Sequence, residues 1–376
     1  VAHLIAKFLA EHGISKVYTV SGGGDLHMID AICRRDDIKI ICPQNEQNAA
    51  YAADACARIS GIGCAMATSG PGATHLITGI ATSYYDSVPV IYITGNQTIP
   101  RLGIGLNVRQ FGFQSMPFVD CVKGFTKYAV IVMKPEDILY EMQKAFWYAK
   151  EGRPGPVVID VPDDIQRAEV DYSKLVPFDT VTWEPRFEAR YGYAYTAKRP
   201  VIALGWGVHL SGGREVARKM ITRWGIPCVT TWGAADIMVG HPLHVGTWGT
   251  HGVRAANFAI QNADLVIAIG TRLDTKATGS PASSFAPKAQ KTRLVMVDID
   301  ENELRKMAKI GRECYAVKED AKFFMEKLHF DGDFSEWREK VAGWQHDYPA
   351  ILPSYGPESP YRIMEELGKY LTPDDV

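Results

Sequence analysis

Apolar runs of strand length recur along the chain, separated by helical stretches that are small-residue in some places and amphipathic in others. Residues 41–95 give the clearest case: strand, helix, strand, Gly-Pro-Gly turn, helix, strand. Strands that are apolar throughout and joined by helices predict a buried parallel sheet. Before this run, Val1, Leu4, Ile5, Phe8 and Leu9 mark one face of a helix that stops at Gly13, and residues 16–20 predict a short strand leading into Ser21-Gly22-Gly23-Gly24. After it, residues 135–150 have helical spacing behind a proline and acids, and 155–162 supply a last buried strand. This first domain is expected over residues 1–170.

Residues 171–199 are rich in Tyr, Pro and charge without a sustained period and read as a linker. Residues 200–330 repeat the first pattern, with strands expected at 201–204, 228–231, 265–269 and 294–299 and helices between them. The fold class is therefore α/β, two doubly wound parallel-sheet domains. Residues 331–376 read as a connection that ends in an amphipathic segment over 361–370.

Charge and composition narrow the partners. The 376 residues hold 41 Lys plus Arg and 43 Asp plus Glu, a net charge of −2, so no basic field points to nucleic acid or an anionic membrane. No apolar run approaches the ~20 residues that span a bilayer, and no signal-peptide pattern is present. The seven cysteines are scattered without a CxxC pair, which predicts buried, reduced thiols in a soluble cytoplasmic protein.

Glu46 is the first candidate for chemistry. It follows an apolar strand and opens an Ala-rich helix, at the kind of junction where open α/β sheets place ligands. A lone Glu there also suits the helix dipole and needs no further role. Three glycines after a strand, at Gly22, Gly23 and Gly24, suit either a tight turn or close approach to a ligand. The Gly70-Pro71-Gly72 turn opens a helix but lacks the length and the Lys of a phosphate-binding loop. In the second domain glycines cluster at strand ends, at Gly205-Trp206-Gly207, 246–252 and Gly270-Thr271-Arg272, without a dinucleotide fingerprint.

Taken together, residues 44–59, the turn Thr68-Ser69-Gly70-Pro71-Gly72-Ala73-Thr74-His75, Asp86-Ser87-Val88-Pro89 and Ile93-Thr94-Gly95 resemble the pyrimidine-binding domain of thiamine-diphosphate enzymes, above all the acetolactate synthase group. The resemblance implies that Glu46 bonds a ring nitrogen of the cofactor's aminopyrimidine and shares a proton there. It places Gly22, Gly23, Gly24, Pro71, Gly72 and His75 in the wall of that pocket, and Phe113 and Gln114 on the substrate side. His75 stands where the synthases carry Asn, and Ser115 where they usually carry Glu. Lys127 lies in a similarly matching stretch, where a solvated Lys is an equal reading.

Gly249-Thr250-His251-Gly252, Gly270-Thr271-Arg272-Leu273-Asp274 and Val297-Asp298-Ile299-Asp300 are similar to the middle domain of the same synthases, which holds FAD in a structural role. This makes Gly205, Gly207, His251, Gly252, Gly270, Arg272, Asp298 and Asp300 the nucleotide-side candidates, with Arg272 facing a pyrophosphate; other branches bind ADP there, or nothing. Members of the family continue into a third domain whose GDG motif holds Mg2+ and the diphosphate. No GDG occurs here, so the chain is expected to be part of a longer polypeptide and to supply no metal ligand itself.

The activity implied is decarboxylation of a 2-keto acid, pyruvate foremost, and transfer of the two-carbon unit to a second keto acid. A keto-sugar nucleotide is the alternative acceptor, and a non-catalytic nucleotide-binding scaffold is the reading from another class. The family builds its sites between chains, which implies a homodimer or tetramer with the Glu46 and Gly72 helices at the interface, where Ala49, Ala50, Ala53 and Ala57 permit close packing.

Overall fold

The computed structural model describes residues 1–179, 193–279, 285, 292–309, 314–372 and 375. The chain divides into two units, residues 1–185 and 186–376.

In the first unit, β1 (Lys16–Thr19), β2 (Lys39–Ile41), β3 (Gly63–Ala67), β4 (Val90–Asn96), β5 (Tyr128–Ile131) and β6 (Val157–Pro162) form one parallel sheet in the order β2-β1-β3-β4-β6-β5. Its helices are α1 (Ala2–Glu11), α2 (Leu26–Cys33), α3 (Glu46–Ser60), α4 (Pro71–Asp86), α5 (Phe118–Val122), α6 (Ile138–Lys150) and α7 (Asp163–Arg167). One face of the sheet is covered by Leu4, Ile5, Phe8, Leu9, Ile32 and Met142, the other by Ala50, Ala53, Leu76, Ile80 and Phe118, so the sheet is buried on both sides. The strand order reverses between β1 and β3, and such a reversal opens a crevice at the carboxyl ends of the strands.

Local chemistry fixes the two helices beside that crevice. The Asn45 side chain caps α3 by accepting from the Asn48 N–H at 2.8 Å, and Gly61 ends the helix in the left-handed conformation. Small residues then bring α3 against α4, where a Cβ on Gly79 would fall 2.3 Å from that of Ala50. The pair is tied by a buried polar cluster in which Ser83 Oγ donates to Asp54 Oδ2 at 2.8 Å and meets the Tyr92 hydroxyl at 3.0 Å. Arg58 closes it with a bond to Asp54 at 2.6 Å.

The second unit holds β7 (Tyr193–Thr196), β8 (Pro200–Leu204), β9 (Cys228–Thr230), β10 (His244–Thr247), β11 (Leu265–Ile269), β12 (Arg293–Asp298), β13 (Tyr315–Lys318) and β14 (Leu328–Asp331). A parallel sheet runs in the order β10-β9-β8-β11-β12-β13, and β14 pairs with β7 in a small sheet of its own. The helices are α8 (Gly207–Leu210), α9 (Arg214–Trp224), α10 (Arg254–Asn262), α11 (Thr275–Thr278), α12 (Glu301–Lys309), α13 (Ala321–Lys327), α14 (Ser335–Asp347) and α15 (Pro360–Gly368). Both chain halves are thus doubly wound parallel α/β folds.

The structure adds to the sequence pattern in three places. Strands β5, β10 and β13 are edge strands, β5 and β10 mostly half-buried and β13 mostly exposed. The pairing of β7 with β14 draws residues on either side of the expected second domain into it. Helix α14 also packs on this unit, since Trp337 and Val341 are buried in its core and the Trp337 indole N–H donates to the Pro200 carbonyl at 3.0 Å. The cysteines depart from expectation too: only Cys64 and Cys228 are buried, while Cys33, Cys42 and Cys121 are exposed, and all seven are free.

Candidate functional site

The carboxyl ends of β1, β2, β3 and β4 lead into four segments that carry the candidate residues of the first unit. Glu46 is the first residue of α3 and lies just beyond β2. Its side chain is 14% exposed, and its Oε2 is 2.8 Å from Nδ1 of His75, whose side chain is 60% exposed. The other carboxyl oxygen faces the turn after β3: a Cβ on Gly72 would lie 3.4 Å from Glu46 Oε1 and 2.8 Å from Thr68 Cγ2.

Thr68 joins this turn to the loop after β1. The Gly24 N–H donates to Thr68 Oγ1 at 2.9 Å, and a Cβ on Gly22 would fall 2.4 Å from Thr68 Cβ. A Cβ on Gly23, in contrast, would meet nothing within 4 Å, so the middle of the three glycines presents open backbone. Gln166 anchors the loop from below, its amide donating to the Gly24 carbonyl at 2.6 Å.

Pro71 is the first residue of α4 and is exposed. Gly70 before it has φ +64°, and a Cβ there would fall 2.7 Å from the Gln114 carbonyl oxygen. Gln114 itself takes φ +58°, a strained value for a residue with a side chain. The structure thus brings Gly22, Gly24, Glu46, Gly72 and His75 together around Thr68, with Gln114 against the rim. Phe113 is 76% exposed. Ser115 is buried and its hydroxyl accepts from the Gly112 N–H at 3.1 Å, so it closes its own loop. Lys127 donates to the Glu151 carbonyl at the end of α6, and burial lowers its pKa. It has a capping role there.

Asp25 was not among the sequence candidates and belongs to this site. It is fully buried, and its Oδ1 accepts the Gly22 N–H at 3.0 Å. Burial pushes its carboxyl up to about 6, against bonds from the Gly22 and Asp25 N–H groups and the Thr19 hydroxyl, and the charge of Glu46 adds to the rise. The available signal was an acid placed directly after three glycines at a strand-to-helix junction. Asp160, on β6, is a second buried acid at this end of the sheet. Burial pushes it up to about 7 despite a 2.7 Å bond from the Asn96 amide.

The nucleotide-side candidates also lie at or just beyond carboxyl ends of strands, and the backbone donors of their four glycines are committed. The N–H groups of Gly205, Gly207 and Gly270 donate at 2.9 Å to the carbonyls of Ile269, Gly270 and Val297, and that of Gly252 donates to Gly249 at 3.1 Å. Cβ atoms on Gly205 and Gly207 would fall 2.3 Å from the Gly270 carbonyl oxygen and 2.6 Å from Gly270 Cα, so these glycines let two loops touch. Arg272 is 3.6 Å from Asp274, His251 lies edge-on to Trp232 at 4.9 Å, and Asp298 and Asp300 accept from the N–H groups of Asp300 and Asn302. Among the described residues no group of three or more His, Cys, Asp or Glu is placed to hold a metal ion, and no helix is long and apolar enough to cross a membrane.

Comparison with known proteins agrees with the arrangement of the first unit. Residues 1–120 match the model of the thiamine pyrophosphate enzyme N-terminal TPP binding domain, and residues 194–328 that of the thiamine pyrophosphate enzyme central domain. Acetolactate synthase 2, chloroplastic, of Nicotiana tabacum is 32% identical over 388 residues, covering 97% of this chain and 56% of the relative. A probable acetolactate synthase large subunit of Methanocaldococcus jannaschii is 38% identical over 317 residues, covering 81% and 52%. The acetolactate synthase large subunit of Corynebacterium glutamicum is 32% identical over 394 residues, covering 100% and 61%. The chain spans a little over half the length of these relatives. On these matches it belongs to the thiamine pyrophosphate enzymes, in their acetolactate synthase-like group.

Proposed function

We propose that the full-length protein is a thiamine-diphosphate-dependent enzyme that decarboxylates a 2-keto acid, pyruvate foremost, and transfers the two-carbon unit to an acceptor. The observation that carries this reading is the placement of Glu46: a nearly buried carboxyl at the strand-order reversal, one oxygen held by His75 and the other turned to the Gly72 turn. When bound, thiamine diphosphate supplies the carbon nucleophile and the electron sink for decarboxylation.

The chain's own residues would hold and tune that group. Glu46 Oε1 would share a proton with a ring nitrogen, in a site walled by Thr68, Gly72 and the loop 22–24. Open backbone at Gly23 leaves room for a flat ring. Pro71 and Gln114 form the rim, and Phe113 and Gln114 are placed on the substrate side. Mg2+ and the diphosphate are assigned to a further domain of the longer polypeptide.

A second keto acid is the acceptor that the relatives' names favour. A keto-sugar nucleotide is the alternative acceptor, since Ser115 leaves out a carboxylate at the rim. A homodimer or tetramer completes the site, with α3 and α4 at its interface, where Tyr51, Ile59 and Tyr85 are 40%, 86% and 62% exposed. The free cysteines suit a reducing compartment such as the cytoplasm.

FAD, ADP or no nucleotide stay open for the second unit. The N–H groups of Gly205, Gly207, Gly252 and Gly270 are bonded within the chain, so Arg272 and the first turn of α10 would be the groups that face a flavin's pyrophosphate. No step is assigned to it, and the absorbance spectrum of purified protein decides whether a flavin is bound.

The reading is tested by titrating full-length protein with thiamine diphosphate and Mg2+ while following product from pyruvate, for the natural sequence and for Glu46→Gln. Cofactor-dependent decarboxylation that drops on the order of 10²–10⁴-fold in the variant, with little change in melting temperature, is the expected result. Equal turnover in the two proteins would remove Glu46 from the chemistry. Loss of pyruvate from a keto-sugar nucleotide mixture without acetolactate formation would select the other acceptor.

A further inference from the structure

We infer that His75 is a positioning residue for Glu46, which donates from Nδ1 to Oε2 and thereby leaves Oε1 as the single oxygen offered to the cofactor. This rests on the function proposed above and adds to it a residue that selects between the two carboxyl oxygens.

A carboxylate rotates about its last bond and presents either oxygen unless one is held. In Glu46 one oxygen is held: Oε2 is 2.8 Å from the imidazole, while Oε1 is the atom nearest the Gly72 turn. The helix that carries His75 is itself fixed, since Pro71 sets its first turn and Gly79 locks it on α3. The imidazole therefore arrives on a rigid element, and so does the carboxyl group, on the capped first turn of α3.

The identity of the nitrogen matters. Nδ1 is bonded directly to Cγ, the place that an amide nitrogen occupies in Asn, so either side chain puts a donor at the same distance from the helix. A carboxylate accepts only, which requires a hydrogen to sit on Nδ1. The burial of the two partners fits this division, since Glu46 is 14% exposed and His75 60% exposed. The ring covers the carboxyl from the solvent side.

The test uses full-length protein with thiamine diphosphate and Mg2+ as the probe, in His75→Ala, His75→Asn and Glu46→Gln. Hydrogen–deuterium exchange at the reactive carbon of the bound cofactor is expected to slow by about tenfold to hundredfold in His75→Ala, the effect of one hydrogen bond to a charged group. His75→Asn should restore most of that rate, whereas a merely structural His75 predicts no such rescue. A second readout needs no cofactor: nitrogen NMR of labelled histidine should show His75 protonated on Nδ1 in the natural sequence and lose that signature in Glu46→Leu, which has no acceptor.

Equal exchange in His75→Ala and the natural sequence, or a His75 signature indifferent to Glu46→Leu, overturns the inference. Should His75→Ala fail to fold, the NMR comparison decides alone. If Glu46→Gln itself exchanges normally, the proposed function fails; if Glu46→Gln is slow and His75→Ala is not, only the role of His75 fails.

Discussion

A Cβ on Gly95 would lie 1.8 Å from the carbonyl oxygen of Gly24, so the end of β4 and the loop after β1 touch backbone to backbone. Nothing flexible stands between them that could move aside. Gly95→Ala is therefore expected to push the loop 22–25 off the sheet and to break the bonds Gly24 makes to Thr68 and Gln166. Overpacking of this kind costs about 1–3 kcal/mol. Thiamine diphosphate binding should weaken well beyond what that loss of stability explains, which a titration at a temperature far below the melting point measures.

Asp25 gives a pH dependence of defined sign. Its folded-state value, about 6, lies above the ordinary 3.8, so the native state binds its proton more tightly than the unfolded chain does. Stability is least affected below pH 4, falls as pH rises through the window from 4 to 6, and stays lowered above it. A shift of about two pKa units corresponds to about 3 kcal/mol. Asp25→Asn keeps an acceptor for the Gly22 N–H and removes the buried charge, so it should stabilise the protein at pH 7 by up to that amount. The gain should shrink toward pH 4. Denaturant unfolding at the two pH values checks this, and a gain that does not vary with pH would show that the carboxyl is not buried as described.

The sequence made the frame of the first unit readable because its signals are local. The Gly-Pro-Gly turn acts within a few residues, and the apolar runs of β3 and the start of β4, both strands buried throughout, leave little choice of structure. Edge strands such as β5 were not readable, since their residues are only half-buried and the periodicity fades with the burial. The contact between His75 and Glu46 spans 29 positions, and only the register of α3 on α4 creates it. Asp25 carries no periodic signal of its own, and its burial under the glycine loop appears only in the fold. In the second unit the glycines stood out correctly at strand ends; what their N–H groups bond is a property of two loops meeting, which no single stretch encodes.

Between α3 and α4 the fit is tight enough to predict a compensated pair. Gly79→Ala places a methyl 2.3 Å from Ala50 Cβ and should destabilise the first unit by about 1–3 kcal/mol. Ala50→Gly removes that methyl, so the double variant should recover most of the loss, with a coupling of about 0.5–3 kcal/mol in a double-mutant cycle. Gly63→Ala offers no such remedy. Its Cβ would fall 2.0 Å from the Ala53 carbonyl oxygen, and no side-chain change moves that atom. Additive effects at Gly79 and Ala50 would mean that the helices are farther apart than described.

Helix α14 sets the last prediction. Trp337 is buried and its indole N–H bonds the Pro200 carbonyl, so the helix after β14 is part of the second unit's core. Trp337→Ala should cost about 3–5 kcal/mol through the cavity and the unpaired carbonyl. Trp337→Phe keeps an aromatic ring and loses the donor, and should cost about 1–3 kcal/mol. Leu367→Ala is the control, because α15 has no buried residue and Leu367 is 45% exposed. Calorimetry of the whole chain separates these cases: the Trp337 variants should lower the melting transition and Leu367→Ala should leave it in place. If all three behave alike, α14 is no more a part of the second core than α15 is.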